Sequence, residues 1–198
     1  MRLDRMLTLA EIRVVLDDLR RQRTTRRGRL RDVLFRLATC CGLRVSEIAG
    51  LTLGDARLDE ERPHLRIRAA TAKGGRARCV PLTYDAGTLA PLRAWRDERR
   101  SDGAGPDDPF LGALRRDRRG LPLSRGELRR QWIRCCAVLG AERCGRLTIH
   151  HGRHSCATHL LAAGVPLPNV RDMLGHSNVS VTSVYLHAAE DPPARHIF

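Results

Sequence analysis

The sequence predicts a mainly helical α+β fold with one small antiparallel β-sheet. Three observations predict it. Apolar residues recur at helical spacing through most of the 198 residues, period-2 alternation is confined to about residues 64–83, and capping pairs with terminal glycines mark off separate helices.

Taken in order, Thr8 and Glu11 form a capping box ahead of the stripe Ile12, Val15, Leu16 and Leu19, which predicts a helix over 8–22. The basic run Arg20–Arg29 reads as a turn or loop. A second helix covers about 30–41 and stops at Gly42, and a short third follows near 46–51. Leu65, Ile67 and Ala69 then alternate with Arg66 and Arg68, which predicts a strand over 64–73. A second strand spans Arg76–Thr83, with Gly74-Gly75 as a two-residue hairpin turn between them. Helix returns over 86–100 with Leu89, Leu92 and Trp95, and 101–109 is a Gly/Pro/Asp loop. A second capping box, Ser124 and Glu127, opens a helix carrying Leu128, Trp132, Ile133, Cys136 and Leu139, ended by Gly140. Three short helices complete the pattern, at about 153–163, 168–174 and 180–187, the first two ended by Gly164 and Gly175. There is no internal repeat.

Composition narrows the function classes. Lys plus Arg is 36 against 22 Asp plus Glu, a net charge of +14, and Lys73 is the only lysine. Such a surplus favours a polyanionic partner, and nucleic acid is the soluble polyanion of the cytoplasm. No run of about 18 apolar residues exists to span a membrane, and the opening MRLDRMLTLAEI does not read as a signal peptide. A cytoplasmic, nucleoid-associated protein is the expectation. Seven cysteines, with two adjacent doublets and no CxxC pair, fit neither a disulfide framework nor a zinc site. Cys40, Cys136 and Cys156 fall among apolar helical positions and read as small core residues.

Four segments carry candidate chemistry. Cys41-Gly-Leu-Arg44-Val-Ser-Glu47 places an arginine and a glutamate in a tight turn between helices. Lys73-Gly-Gly-Arg-Ala-Arg-Cys-Val-Pro81 puts the sole lysine at the hairpin tip. His150-His-Gly-Arg153 puts a histidine and an arginine at the start of a helix. Leu174-Gly-His176 precedes Tyr185 by nine residues from the histidine. Singly, each has an ordinary structural reading, Tyr185 as a packed aromatic and His150 as a satisfied histidine.

Together, in this order and spacing, they resemble the tyrosine recombinases: the phage integrases and the Xer-like and Cre-like enzymes. The matching pattern is an arginine in a GLR-x-x-E turn, a hairpin lysine before RxVPL, H-x-x-R, then LGH and a tyrosine nine residues on. The resemblance covers residues 30–188 and includes LRVSEIAGL, CVPL, ATHLLAAG and DMLGHSNVS. It implies the catalytic-domain fold of the DNA breaking-rejoining enzymes. The activity implied is a site-specific recombinase that cuts and rejoins DNA through a 3′-phosphotyrosyl intermediate, in integration, excision, inversion or resolution.

The resemblance also assigns roles. Tyr185 is the nucleophile, and Arg44, Arg153 and His176 neutralise the phosphate oxygens on which charge builds. With Arg153 at a helix N-terminus, backbone N–H groups would add to the anion site. His150 is the base in cleavage and the acid in rejoining, Lys73 protonates the departing 5′ oxygen, and Glu47 orients Arg44 or His150. The phosphotyrosine bond conserves the energy of the broken linkage, so neither a metal nor another cofactor is expected. The partners expected are double-stranded DNA, further copies of the chain in a dimer or tetramer on that DNA, and an accessory DNA-binding protein.

Two departures from the family pattern stand out. Gly152 replaces the apolar residue usual inside H-x-x-R, which predicts a looser turn. The 29 residues before the core, read as a short helix and a basic linker, are too few for the helical N-terminal domain usual in the family. The chain is therefore expected to be one catalytic domain over 1–198, with a short tail broken by Pro192-Pro193. The alternatives are a recombinase-like DNA-binding regulator that has lost catalysis and a topoisomerase of type IB chemistry. Competent residues at all six positions argue against the regulator.

Overall fold

A computed structural model describes residues 6–72, 76–114 and 120–175. Their order is α1 (Leu9–Gln22), α2 (Arg26–Thr39), α3 (Val45–Gly50), β1 (Ala56–Arg57), β2 (His64–Ile67), β3 (Arg78–Pro81), α4 (Ala86–Ser101), α5 (Arg125–Cys136), α6 (Ala141–Arg146), α7 (Ile149–Ala162) and α8 (Leu167–Leu174). The sheet has the order β1-β2-β3, antiparallel throughout. The fold is thus mainly helical with one small sheet, as the periodicity predicts.

The central element is α2. Leu30, Val33, Leu34, Phe35, Leu37 and Ala38 are all buried, because α1, α4, α5 and α7 pack around it. A helix apolar on most of its circumference belongs inside a bundle. Phe35 stacks on Trp132 of α5 with ring centroids 5.4 Å apart. Both capping boxes form: the Glu11 N–H donates to Thr8 Oγ1 at 3.1 Å, and the Glu127 N–H donates to Ser124 Oγ at 3.2 Å. Cys40, Cys136 and Cys156 are buried, and burial pushes the Cys40 thiol up to about 12, so these thiols fill space.

Several expectations need correction. The Arg20–Arg29 run is helix except for residues 23–25, since arginine is a good helix former. Its charge is neutralised in space: Arg29 pairs with Glu98 at 2.7 Å and Arg26 with Glu98 at 3.2 Å, both to α4. The sharp α1–α2 turn requires Gly28, where a Cβ would stand 1.8 Å from the Gln22 carbonyl oxygen. Two short elements, β1 and α6, had no signal in the pattern. The helix predicted over 180–187 lies outside the described residues.

The hairpin register also differs. A two-residue turn at 74–75 would pair residue 67 with 82, but Ile67 pairs with Arg78 and Leu65 with Val80. Pairing stops at Ile67, after which the Thr71 and Ala72 N–H groups both donate to the Arg68 carbonyl at 3.1 Å. Burial selects this register, because it sets Leu65 opposite Val80, both fully buried in the core.

Candidate active site

The site is built around one buried carboxylate. Glu47 sits in the first turn of α3, 1% exposed, and accepts the Arg44 backbone N–H at 2.8 Å. Arg78 of β3 grips the same carboxylate with both terminal nitrogens, at 2.8 and 2.9 Å. The Arg44 side chain adds a bond of 3.0 Å, and Arg153 of α7 stands at 3.8 Å. Burial alone would raise the Glu47 carboxyl. The hydrogen bonds and charge of Arg78, the Arg44 N–H and the charge of Arg153 outweigh it and hold the group at about 2.

The second organising feature is the end of α8. Arg78 Nε donates to the Met173 carbonyl at 2.7 Å. Arg153 Nη2 and Arg44 Nη1 donate to the Leu174 carbonyl at 2.5 and 3.3 Å, and Arg44 Nη2 donates to the Gly175 carbonyl at 3.2 Å. Carbonyls that the helix end leaves without backbone partners, and the negative end of the helix dipole, draw the three cations together there. Two glycines make the approach possible. Gly175 is left-handed (φ 65°), and a Cβ on it would lie 3.0 Å from Arg78 Cδ. Gly42 (φ 64°) receives Arg153 Nη1 on its carbonyl at 2.6 Å, and a Cβ there would lie 2.6 Å from Leu174.

Arg44 has a side-chain exposure of 19% and Arg153 of 3%, so one guanidinium faces outward and the other lies beneath it. Burial, then the neighbouring charge of Arg44, pulls Arg153 down to about 9, with Glu47 opposing. Outside Arg44 opens a cleft of about 850 Å³, lined by Ser46, Thr71, Arg125, Arg129 and His150 among others. His150 is exposed in the first turn of α7, and its Nε2 lies 2.7 Å from Nε2 of His154.

Arg44, Glu47, His150 and Arg153, singled out from sequence, are therefore brought together. Lys73, His176 and Tyr185 lie outside the described residues. The placement of Arg153 is corrected: α7 begins at Ile149, so Arg153 is in its second turn, and its contacts are carbonyls and Glu47 rather than N-terminal amides. Gly152 is corrected too. It loosens nothing, since a Cβ there would stand 2.6 Å from the Trp132 ring and 3.1 Å from Thr39. Sequence reasoning assigned no role to Arg78, although it is the R of RxVPL, and none to Arg125 and Arg129. The spacing of those two by four residues, just after the Ser124 cap, was the available signal.

Known proteins resemble this chain in sequence and in fold. The model of the phage integrase family matches residues 5–191. The tyrosine recombinase XerC of Corynebacterium efficiens is 34% identical over 158 residues, 80% of this chain and 46% of that protein. The tyrosine recombinase XerD of Pseudomonas aeruginosa is 34% identical over 179 residues, 84% of this chain and 54% of that protein. The chain thus spans about half the length of the curated relatives it matches. Among solved structures, XerA recombinase superposes with a TM-score of 0.74 at 20% identity, covering 92% of this chain and 58% of that one. The XerH site-specific recombinase in its post-cleavage complex with palindromic difH substrate gives 0.73 at 22% identity, covering 96% and 51%. With most of its length matched by the family model and its arginines gathered on one carboxylate, the chain belongs to the phage integrase family.

Proposed function

We propose that the chain is the catalytic domain of a site-specific DNA recombinase, cutting and rejoining strands through a 3′-phosphotyrosyl bond on Tyr185. The observation that carries this reading is the cluster of three guanidiniums on one carboxylate beneath an open, arginine-lined cleft. In-line attack on a phosphodiester places excess negative charge on the non-bridging oxygens. Each guanidinium has five N–H donors, more than the carboxylate and carbonyl bonds of Arg44 or Arg153 use. An anion seated over Arg44 would receive the surplus, and its charge would offset the desolvation of Arg153. Arg125 and Arg129 on the same cleft suit the flanking phosphates.

His150 at the cleft wall is the base for the tyrosine hydroxyl, whose ordinary pKa of roughly 10 demands one. His176 follows directly on the carbonyls that bind the arginines and is assigned the same phosphate. Lys73, five residues before Arg78 in the chain, protonates the 5′ oxygen. Glu47 holds Arg44 in place. The partner is double-stranded DNA, on which the protein self-associates as a dimer or tetramer, with an accessory DNA-binding protein as a further partner.

The test is Tyr185→Phe with a nicked DNA duplex that traps the covalent adduct. The adduct is expected to disappear while DNA binding in a gel-shift assay stays unchanged. A 3′-phosphotyrosyl adduct persisting in the variant would overturn the assignment.

A further inference from the structure

The H-x-x-R box, which holds His150 and His151, is followed directly by a third histidine that the mechanism above does not use. His154 lies one turn beyond His150 on α7, half-buried, with its ring edge-on to the His150 ring at 81° and a centroid separation of 4.1 Å. The two Nε2 atoms are 2.7 Å apart. At that distance one nitrogen must carry the hydrogen and the other must offer its lone pair.

The choice between the two arrangements has chemical consequences. If His154 donates, His150 must carry its own hydrogen on Nδ1 and has no lone pair left with which to accept a proton. If His150 donates from Nε2, its Nδ1 keeps the lone pair and can act as a base. After His150 gains a proton at Nδ1, the same Nε2–H still points at His154, and the bond becomes charge-assisted and stronger. A neutral His154 is needed for this. Burial first, then the neighbouring His150, His151 and Arg153, holds it at about 4, so it stays an acceptor at neutral pH. The other cations lining the cleft with His150 are Arg44, which caps α3, and Arg125 and Arg129 from α5.

We propose that His154 is a positioning residue that fixes the ring and tautomer of His150, so that Nδ1 of His150 exchanges the proton with the tyrosine hydroxyl. The proton moves from the hydroxyl oxygen to Nδ1 in cleavage and returns in rejoining, while the Nε2–H stays with His150 throughout. This inference rests on the reading of His150 as the base.

The experiment measures single-turnover cleavage of a nicked duplex against pH for the parent, His150→Ala, His154→Ala and His154→Gln. Losing a base costs about 10²–10⁴-fold, and losing only its orientation should cost less, on the order of 10–100-fold for His154→Ala. DNA affinity should not change, and the acidic limb of the rate profile should move to lower pH, because the protonated imidazole has lost its acceptor. His154→Gln, whose amide oxygen can accept the same hydrogen, should recover most of the rate and return the limb towards the parent position. Should His154→Ala fail to fold, His154→Leu, which fills the space but accepts no hydrogen, takes its place, and a parent rate and profile in that variant, or a fully lost rate in His154→Gln, overturns the proposal. If His150→Ala cleaves normally, the base assignment fails and this inference with it. If His150→Ala is slow while both His154 variants match the parent in rate and profile, only the role of His154 is overturned.

Discussion

Two buried ionic clusters of this protein use the same residue types to opposite ends. In the first, Arg36 of α2 bonds Asp32 at 3.1 Å and faces Asp85 at 3.7 Å, while Arg23 closes on Asp32 at 2.7 Å. Two carboxylates there meet two guanidiniums. In the second, Arg44, Arg78 and Arg153 share the single carboxylate of Glu47. The first cluster is balanced and ties α1, α2 and the start of α4 together. The second has surplus positive charge among the described residues, offset in part by helix-end carbonyls, and its surplus faces a cleft. The comparison teaches that burial alone does not mark a functional charge. What marks it is a cluster left short of counter-charge, which an incoming anion can supply.

The sharpest way to break this comparison is to disturb one arginine in each cluster. Arg153→Lys keeps a charge but loses the planar fork that spans Gly42 and Leu174, so covalent adduct formation should fall about 10²–10³-fold. Arg36→Met leaves Asp32 and Asp85 short of a partner and should cost about 3–5 kcal/mol in urea unfolding, while cleavage per folded molecule is unchanged. If Arg36→Met abolished cleavage in folded protein, or Arg153→Lys cleaved normally, the division into a structural and a functional cluster would fail.

A smaller effect is expected from Glu47→Gln, and it is read from pH. The Glu47 carboxyl is depressed from the ordinary 4.5 to about 2, so its ionised form stabilises the fold above pH 4.5 and that stabilisation is lost as pH falls towards 2. The variant should be less stable than the parent at pH 6, and the difference should shrink on acidification through that window. A constant difference in unfolding free energy from pH 6 to pH 2.5 would show that the charge is not what Glu47 contributes.

The same contrast explains what could be read in advance. The two capping boxes and the glycines at 42, 164 and 175 were legible because each is a contact within a few residues, written in adjacent letters. Arg44, Glu47, His150 and Arg153 were legible because their spacing resembles a known pattern. Arg78 stands in that pattern too, yet its role is not legible there, since its partner Glu47 lies 31 residues away in sequence. The β2–β3 register is not written in the sequence, because it is set by Leu65 meeting Val80 in the core, not by the Gly-Gly pair. The start of α7 is hidden in the sequence because its N-cap Thr148 is answered by His151 rather than by the glutamate that signals a capping box.

The smallest expected effect concerns Gly152, which tests whether tight packing beneath the site is structural like the first cluster or functional like the second. Glycine to alanine inside a helix ordinarily gains up to about 1 kcal/mol. Here the added methyl meets Trp132 and Thr39, and overpacking of this kind costs about 1–3 kcal/mol. Gly152→Ala should therefore be modestly less stable in urea and cleave at the parent rate. Increased stability would show that the Trp132 ring can shift aside.

The anchoring of the arginines on the Met173, Leu174 and Gly175 carbonyls has a consequence for the order in which the protein becomes competent. Chains are made from the N-terminus, so Arg44, Arg78 and Arg153 all leave the ribosome before the carbonyls that hold them. A nascent chain that has folded α1 to α7 already possesses every described cation of the site but not their arrangement. The arrangement of the three arginines seen here therefore requires α8 in place, because its end supplies the Met173, Leu174 and Gly175 carbonyls that hold them.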